Sequence, residues 1–404
     1  MNRNDVIIIG GGAAGLSAAL SASGQGARVT VLEASPRVGR KILASGNGRC
    51  NLANAGALRY FGDAAWAGRV MERCPVSRVL SFFHGLGLVT VEEAGGRMYP
   101  GCGQASAVLD TLRRAAERQN VLIRCDTPAR GITPLPGGFR VDTAQGAVTG
   151  GKVIVACGGM AGGKLGHDGG PYRLLTDLGY TLVSPRPALT PLTAEKAAVK
   201  GLSGLRLPAR LTLCEGKKPV SAAQGEVLFT DYGVSGVCAM QLSRDAEALL
   251  DQGKRAVLYA DFSPMLGLIP RIMDRTEPED AEKNLPPVRA CLEKRRHMLP
   301  QEDILTGLAP RLLAERMQGF DPDRMARFLA CFAIPLTGVR GFENAQVTAG
   351  GIACRDFDPA TLESRRHPGL YCLGEMLNVD GDCGGFNLQF AFACGILAGT
   401  HAAG

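Results

Sequence analysis

The feature that most constrains this chain is a glycine-rich turn that follows a short apolar segment near its start. Residues 6–9 form a continuous apolar run, and the next six residues are Gly-Gly-Gly-Ala-Ala-Gly. Small residues over 13–23 then predict a helix, and residues 28–32 predict a second, β-branched strand. This order of strand, helix and strand predicts one parallel βαβ unit.

The spacing of the glycines suits a dinucleotide. Gly10 permits the tight turn, Gly12 lets the backbone approach a pyrophosphate, and Gly15 allows the helix to pack closely on the strand. The start of the helix adds N–H groups and a favourable dipole for the anion. Glu33 ends the second strand, where a carboxylate accepts hydrogen bonds from ribose hydroxyls and disfavours a 2′-phosphate. The alternative is a glycine-rich turn with a chance acid.

The loop after Glu33 favours a flavin over a nicotinamide. Residues 39–51 are rich in Gly, Ser and Asn, and a flavoprotein needs such a loop to lead the chain back past the pyrophosphate to the isoalloxazine. Arg40 and Lys41 are candidate counter-charges for the pyrophosphate, and residues 45–51 are candidates to line the ring. A solvated basic loop is the alternative. Cys50 has no second Cys nearby for dithiol exchange, so we expect an inert thiol, packed or next to the flavin.

Similar patterns recur later in the chain. Residues 153–156 predict a strand that runs into Cys157-Gly158-Gly159, and residues 369–375 predict another that ends in Gly-Glu. Residues 380–387 then open an apolar helix, whose dipole would face the ring edge that becomes negative on reduction. The residues that we expect to bind FAD are Gly10, Gly12, Ala13, Ala14, Gly15, Glu33, Ala34, Arg40, Lys41, Ser45, Gly46, Asn47, Cys50, Asn51, Ala129, Cys157, Gly158, Gly159, Gly374, Glu375, Asp382, Gly384, Gly385, Phe386 and Asn387.

The length of 404 residues predicts two or three structural units. The residue pattern changes near Pro185, where short strand-like segments begin, and charged helical sequence follows over 279–332. We therefore predict an α/β fold, with a discontinuous Rossmann-type FAD-binding domain formed by 1–189 and 341–404. Residues 190–340 form the inserted substrate-side domain, with a small β unit at about 190–265 and a helical segment at about 279–335.

Composition narrows the possible partners. A net charge of +7 is mild for this length, and it suits a small anionic ligand at least as well as nucleic acid, which we do not expect as a partner. No apolar run is long enough for a signal peptide or a membrane span, so we expect a cytoplasmic protein with no membrane partner. The thirteen Cys are scattered singly and suggest buried thiols without a metal site. The oligomeric state stays open.

With these segments together, the chain resembles the bacterial BaiN-like flavoproteins, also called the YhiN-type or aminoacetone-oxidase-type family. The stretches that carry the resemblance are 39–54, 186–192, 200–207, 225–236, 341–352 and 369–399. The resemblance implies a flavin domain of the glutathione-reductase superfamily, an FAD cofactor and an inserted domain over the flavin. Members include an enzyme that reduces conjugated steroid double bonds in bile-acid metabolism, and others carry oxidase names.

The leading functional hypothesis is a two-step flavin reaction. NAD(P)H reduces FAD, and the reduced N5 passes hydride to the β-carbon of an enone such as a 3-oxo steroid, while a protein acid protonates the other carbon. Residues 190–340 contain no second GxGxxG motif, so we expect the nicotinamide to dock transiently at the flavin. Many members of the resembled family have a His where this chain has Asp231 and a Pro where it has Val237, so a His donor does not carry over.

Tyr232 is the first candidate for the proton donor, followed by Asp231 and Tyr99. Two other functions stay open. One is an oxidase that passes electrons from a small amine to O2. The other is a flavin-bearing RNA-modifying or regulatory protein, which the weak positive charge and the few aromatic residues disfavour.

Overall fold

The computed structural model describes residues 4–404 and divides the chain into two compact units. Unit 1 comprises Met1–Arg186 and Val347–Gly404, and unit 2 comprises Pro187–Gln346. The predicted fold class is confirmed: a discontinuous Rossmann-type domain is interrupted by an inserted β domain with a helical segment. The domain boundaries near 190 and 340 stay predictions.

The regular elements are numbered in chain order. The α-helices α1 to α13 are Ala13–Ser23, Arg40–Ala44, Ala64–Arg73, Val76–Gly85, Ala105–Arg118, Arg173–Thr176, Lys196–Val199, Val237–Gln241, Ser243–Asp251, Leu285–Met298, Arg311–Arg316, Pro322–Ala330 and Phe386–Ala403. Short 3₁₀ turns lie at Ser45–Gly48, Gly163–Leu165, Gly170–Tyr172, Gln301–Asp303, Cys354–Asp356 and Gly374–Met376.

The strands β1 to β21 are Asn4–Ile9, Val29–Leu32, Ala53–Asn54, Tyr60–Gly62, Thr90–Glu93, Arg97–Pro100, Leu122–Arg124, Ala129–Leu135, Gly138–Thr143, Gly146–Val155, Leu182–Ala188, Leu192–Ala194, Arg206–Glu215, Lys218–Phe229, Gly233–Ser235, Ala256–Asp261, Asp274–Thr276, Phe332–Val339, Val347–Ile352, Leu370–Cys372 and Val379–Gly381.

Unit 1 is built on a seven-stranded sheet with the order β7-β2-β1-β10-β9-β8, in which β20 also pairs with β10. The strands β7, β2, β1, β10 and β20 pair in parallel, whereas β9 and β8 form an antiparallel extension. Ile9 aligns with both Leu32 and Val155, so the turns that follow β1, β2 and β10 meet at one edge of the sheet. Ligands bind at this carboxyl edge in open parallel sheets.

Helix α13 joins the end of the chain to its beginning by packing on α1. The contact depends on two glycines, because a Cβ atom at Gly395 would lie 2.4 Å from the carbonyl oxygen of Ala14, and one at Gly399 would lie 2.2 Å from that of Ala18. The residues of α13 from Phe392 to Gly399 are all buried. The apolar helix that the sequence predicts to open at residues 380–387 is therefore confirmed, and it is buried.

Unit 2 is an antiparallel β structure with helices packed against it. Its strands follow the order β13-β16-β18-β12-β15-β14-β17, and an additional pairing of β13 with β14 closes six of them into a ring. Phe229, Phe262 and Phe332 pack together in its core, with ring centroids 6.2 to 6.5 Å apart. Leu292 from α10 and Leu329 from α12 complete the same core.

The thiols were predicted to be buried, but Cys102 is exposed because it lies in the surface turn between β6 and α5, and five others are only half-buried; all thirteen are free. Helices α3 and α4, which cover Ala64–Arg73 and Val76–Gly85, were also not predicted from the sequence.

Within residues 4–404, no helix is both long enough and apolar enough to cross a membrane.

Because α13 packs so closely on α1, we predict that one added methyl group in this contact destabilises the protein. Gly399→Ala should lower the free energy of unfolding by about 1–3 kcal/mol, because the new Cβ would press on the carbonyl of Ala18. The matched control is Gly68→Ala in α3, where a Cβ meets nothing within 4 Å; it should be neutral or stabilise by up to about 1 kcal/mol. Urea unfolding of the three proteins measures both changes, and equal stability of the two variants would contradict the packing.

Candidate functional site

In the glycine turn after β1, two glycines are required by the fold and a third leaves space for a ligand. Gly10 has φ +106°, and a Cβ there would lie 2.3 Å from the carbonyl oxygen of Ala156. A Cβ at Gly15 would lie 1.9 Å from the carbonyl oxygen of Gly10. Both glycines are therefore required by the fold. At Gly12, just before α1, a Cβ would meet no described protein atom within 4 Å, so this glycine leaves space beside a helix start that suits a pyrophosphate.

Glu33 lies at the same turn and is half-buried. Its carboxylate accepts hydrogen bonds from the backbone N–H of Gly11 at 2.7 Å and from that of Ser35 at 2.7 Å. Each oxygen keeps a free lone pair for a ribose hydroxyl. Gly11 was not predicted as a site residue, but it is needed because a Cβ there would lie 2.4 Å from a methyl carbon of Val38. Three adjacent glycines were the signal that could have indicated it.

Arg40 and Lys41, predicted as counter-charges, both contact protein groups. The Arg40 guanidinium donates to the Ser35 hydroxyl at 3.1 Å and to the carbonyl of Lys164 at 3.1 Å. The Lys41 ammonium donates to the carbonyl of Gly159 at 3.0 Å and to the Glu375 carboxylate at 3.2 Å. Because Lys41 is paired, its charge is largely compensated within the protein.

Glu375 ties three segments of unit 1 together. Besides Lys41, its carboxylate accepts from the N–H of Gly159 at 3.2 Å and from the N–H of Thr348 at 2.8 Å. The buried Thr348 hydroxyl in turn accepts from the N–H of Ala161 at 3.0 Å. The turn after β10, the strand β19 and the turn after β20 are therefore fixed around one carboxylate.

His167 is a site residue that the sequence did not indicate. Its Nδ1 accepts from the N–H of Gly169 at 3.0 Å, so Nε2 carries the proton that it shares with the carbonyl of Gly158 at 2.9 Å. Burial lowers the pKa of His167, and the Lys41 charge lowers it further. The imidazole is therefore held neutral, and it fixes the same turn that Glu375 holds.

The loop that the sequence predicted to line the ring contains an unsatisfied polar atom. Asn51 is buried, and its Oδ1 has no hydrogen-bond partner among the described residues. An unpaired buried acceptor costs about 1–3 kcal/mol, so a ligand donor at this point would be stabilising. The isoalloxazine carries a ring N–H of this kind. Gly385 leaves the amide room, since a Cβ there would lie 2.6 Å from Asn51 Oδ1.

Left-handed backbone shapes this loop. Gly46 and Asn47 have φ +57° and +55°, and Cys50 has φ +59°, which is uncommon for residues other than Gly, Asn and Asp. Burial raises the pKa of the Cys50 thiol to about 11, and it raises that of Cys157 to about 12. Both thiols are protonated at neutral pH, which supports the expectation that Cys50 is inert.

The loop before α13 is held by its own side chains. The Asp382 carboxylate is buried and accepts from the N–H of Cys383 at 2.8 Å. Asn387 accepts from the N–H of Gly381 at 2.7 Å and donates to the carbonyl of the same residue at 2.8 Å. The Asn54 amide reaches this loop from the other end of the chain and donates to the carbonyl of Gly384 at 2.8 Å.

Unit 1 thus contains all of the residues that were predicted to bind FAD; their roles toward it stay predictions. Ala34 is exposed beside Glu33, and Ala129 opens β8, where it is half-buried. Phe386 begins α13 and is buried. The open space at Gly12, the free lone pairs of Glu33 and the unpaired Asn51 oxygen fit a dinucleotide with a hydrogen-bonding ring.

Of the three candidate proton donors, one lies in unit 1 and two lie in unit 2. Tyr99 belongs to β6 in unit 1, where the Arg49 guanidinium lies over its ring at 4.2 Å. Asp231 and Tyr232 belong to unit 2, in the turn between β14 and β15 that is closed by a hydrogen bond from the N–H of Thr230 to the carbonyl of Gly233. Asp231 is exposed, and the Arg340 guanidinium lies 4.9 Å from the Tyr232 ring centroid.

The chain is similar to a known protein family and to characterised proteins over almost its whole length. The family model of the HI0933-like protein Rossmann domain matches residues 4–401. The chain is 36% identical over 423 aligned positions to the 3-dehydro-bile acid delta(4,6)-reductase of Clostridium scindens, covering 100% of this chain and 99% of that protein. It is 26% identical over 421 positions to the ribosomal RNA dihydrouridine synthase of Escherichia coli, covering 97% and 96% of the two chains.

Solved structures share the fold at low identity. The 3-ketosteroid delta1-dehydrogenase of Sterolibacterium denitrificans matches with a TM-score of 0.52 and 14% identity, over 100% of both chains. The 3-ketosteroid-delta4-(5alpha)-dehydrogenase of Rhodococcus jostii RHA1 matches with a TM-score of 0.50 and 16% identity, over 100% of this chain and 97% of that one. The predicted Rossmann-type flavin fold is confirmed, and so is the family resemblance noted in the sequence.

The difference between Gly12 and its neighbours predicts a separation of stability from cofactor binding. Gly12→Ala should change the unfolding free energy of the apoprotein by less than about 1 kcal/mol, because its Cβ meets no described atom. Its affinity for FAD should fall at least about tenfold, because the methyl group occupies the space left for the pyrophosphate. Gly10→Ala is the control and should destabilise the apoprotein itself. Titration of apoprotein with FAD, followed by flavin fluorescence, measures this affinity. An unchanged affinity in Gly12→Ala would contradict the placement of the pyrophosphate at Gly12.

We predict that the protein loses stability in mild acid, because His167 is neutral in the folded state. Its pKa in the folded protein lies below the ordinary value of 6.5, so the unfolded chain takes up the proton first. The stability that depends on neutral His167 is complete above this value and is lost as the pH falls below it. Between about pH 7.5 and about pH 5.5, apoprotein with His167→Gln should lose less stability than wild type in urea unfolding. Lys41, Glu375 and Asp168, whose charges act on His167, are present in both proteins, and the exposed His297→Gln variant should behave as wild type.

Proposed function

Since this chain belongs to the HI0933-like Rossmann-domain family and is an FAD-dependent oxidoreductase, we propose that it reduces a carbon–carbon double bond conjugated to a carbonyl, with NAD(P)H as electron donor. The observation that carries this proposal is the 36% identity, from end to end, to a 3-dehydro-bile acid delta(4,6)-reductase. We infer that the substrate is a 3-oxo steroid or bile-acid-type enone.

The residues of unit 1 suit the cofactor of such a reaction. FAD, when bound and reduced, supplies hydride to an electron-poor carbon. The start of α1 and the space at Gly12 would hold the pyrophosphate, and Glu33 would bind the ribose. Asn51 would accept from the ring, and the first turn of α13 would present its N–H groups to the end that gains negative charge.

The electron donor is inferred from the glycine pattern. Residues 190–340 contain no second GxGxxG turn with a following acid, so this segment offers no separate nicotinamide domain. A nicotinamide would therefore act as a transient donor that leaves before the enone binds. We propose that unit 2 supplies substrate recognition.

A second candidate is the reduction of uridine in RNA, which the 26% identity to a ribosomal RNA dihydrouridine synthase favours. The chemistry is related, because the double bond of uracil is also conjugated to a carbonyl.

The net charge of unit 2 favours a small-molecule substrate over RNA. The chain has 45 Lys and Arg and 38 Asp and Glu residues. Unit 1 contains 24 of the basic and 18 of the acidic residues, which gives a net charge of +6. Unit 2 contains 21 basic and 20 acidic residues, which gives a net charge of +1. A nearly neutral insertion lacks the basic footprint of RNA binders.

Anaerobic stopped-flow spectroscopy tests the proposal. NADH or NADPH should bleach the flavin absorbance of the holoprotein, and a 3-oxo-4-ene steroid should restore it with formation of the saturated 3-oxo product. We expect the enone to restore the absorbance at least about tenfold faster than an unmodified ribosomal RNA transcript at equal concentration of reactive double bonds.

Two results would overturn this assignment. Dihydrouridine in the transcript, detected by mass spectrometry, together with no reaction of the steroid would establish the RNA activity. Bleaching of the flavin by aminoacetone alone would establish an amine oxidase. The saturated steroid, incubated with oxidised holoprotein, serves as the control for a reaction in the opposite direction.

A further inference from the structure

Tyr99 lies against the loop that contains Asn51. It belongs to β6, which pairs with β3 so that Met98 aligns with Ala53, directly after the buried segment that starts at Asn51. A Cβ at Gly46 would lie 3.7 Å from a ring carbon of Tyr99. The loop before α13 reaches the same strands, because a Cβ at Gly384 would lie 3.9 Å from Arg97 Nε and the Asn54 amide donates to the Gly384 carbonyl at 2.8 Å. Tyr99 is thus flanked by both loops that form the ring end of the candidate flavin site.

The Tyr99 hydroxyl is available to a ligand. The side chain is half-buried, and its Oη makes no hydrogen bond to any residue in the described range 4–404. Burial raises the pKa of Tyr99 above its ordinary value, although Arg97 and Arg49 lower it in part. The phenol is therefore protonated at neutral pH and presents a free donor.

Arg49 prepares the same ring to carry negative charge. Its guanidinium carbon lies 4.2 Å from the Tyr99 ring centroid, and Glu93 holds it there through a hydrogen bond from Arg49 Nη1 to Glu93 Oε2 at 3.2 Å. A cation over an aromatic face is attracted to it, and this attraction increases when the phenol becomes a phenolate. Arg49 and Glu93 are both exposed, so a phenolate at Tyr99 has solvent nearby from which to recover a proton.

Tyr232 resembles Tyr99 in that it is also half-buried and also has a guanidinium near its ring, that of Arg340, at 4.9 Å. It belongs to unit 2, however, whereas Tyr99 belongs to unit 1 with the residues that fit the cofactor. Asp231 is exposed and lies in the same turn as Tyr232.

We propose that Tyr99 is the proton donor of the reaction and that Arg49, held by Glu93, is its positioning residue. This inference rests on the proposed function. The β-carbon of the enone gains a hydride that originates from NAD(P)H through FAD, and the α-carbon gains the proton of Tyr99 Oη. The double bond thereby takes up two electrons and two hydrogens. The Tyr99 phenolate left behind is reprotonated from solvent, and the nicotinamide leaves oxidised.

Single-turnover kinetics separates the two tyrosines. Holoprotein is reduced anaerobically with NAD(P)H and mixed with a 3-oxo-4-ene steroid. Tyr99→Phe should slow reoxidation by the steroid at least about 100-fold, with reduction by NAD(P)H within about twofold of wild type and the affinity for FAD unchanged. Tyr232→Phe, which tests the other candidate donor, should slow reoxidation at least about tenfold less than Tyr99→Phe does.

The outcomes are distinct. Wild-type reoxidation of Tyr99→Phe, or a loss confined to Tyr232→Phe, would overturn the assignment while the proposed function stands. Failure of wild-type protein to react with the enone would overturn the proposed function instead.

A second measurement does not depend on activity. Apoprotein labelled with ¹³Cζ-tyrosine is titrated by NMR, and Tyr99→Phe identifies the Tyr99 resonance. Arg49→Met should raise the pKa of Tyr99 and slow steroid reoxidation together, and Arg49→Lys should restore both in part, because it keeps the charge. An unchanged Tyr99 titration in Arg49→Met would refute the role of Arg49.

Discussion

Helices α1 and α13 meet backbone to backbone, since Gly395 and Gly399 leave room for the carbonyls of Ala14 and Ala18. This contact connects residues nearly 400 positions apart, and it places the start of α13 beside the loops that follow the first βαβ unit. Asn54 reaches across to the carbonyl of Gly384 and to Gln389 only because α13 lies here. Without the close packing, the two ends of the chain would not form one site.

Around this scaffold, nearly every polar group is satisfied by the protein itself. Glu33 accepts two backbone N–H groups, and Glu375 accepts two others together with the Lys41 ammonium. His167 stays neutral between a carbonyl and an N–H group. The places left incomplete are therefore informative. The space at Gly12 and the unpaired Asn51 oxygen are features that a bound dinucleotide would complete.

The parts of the site governed by local sequence were predictable, and those governed by distant contacts were not. The helix over 13–23 and its glycine turn follow from small residues and from the backbone needs of a tight turn, and the structure reproduces them. Glu375 was expected to bind the cofactor, but its partners Lys41 and Thr348 lie far away in sequence, so its bracing role was invisible. His167 lies in an irregular loop without periodicity, and its importance comes from its hydrogen bonds to the carbonyl of Gly158 and the N–H of Gly169. The helices over Ala64–Arg73 and Val76–Gly85 were missed although their apolar faces are buried.

We propose that both ends of the chain hold one FAD molecule in unit 1, and a crystal structure of the FAD-bound protein would decide this. We expect pyrophosphate oxygens over Gly12 at the start of α1, ribose hydroxyls on Glu33 and a ring donor on Asn51 Oδ1, next to Tyr99. Density that places the ring away from Asn51 and from the start of α13, or that directs the adenosine away from Glu33, would contradict it.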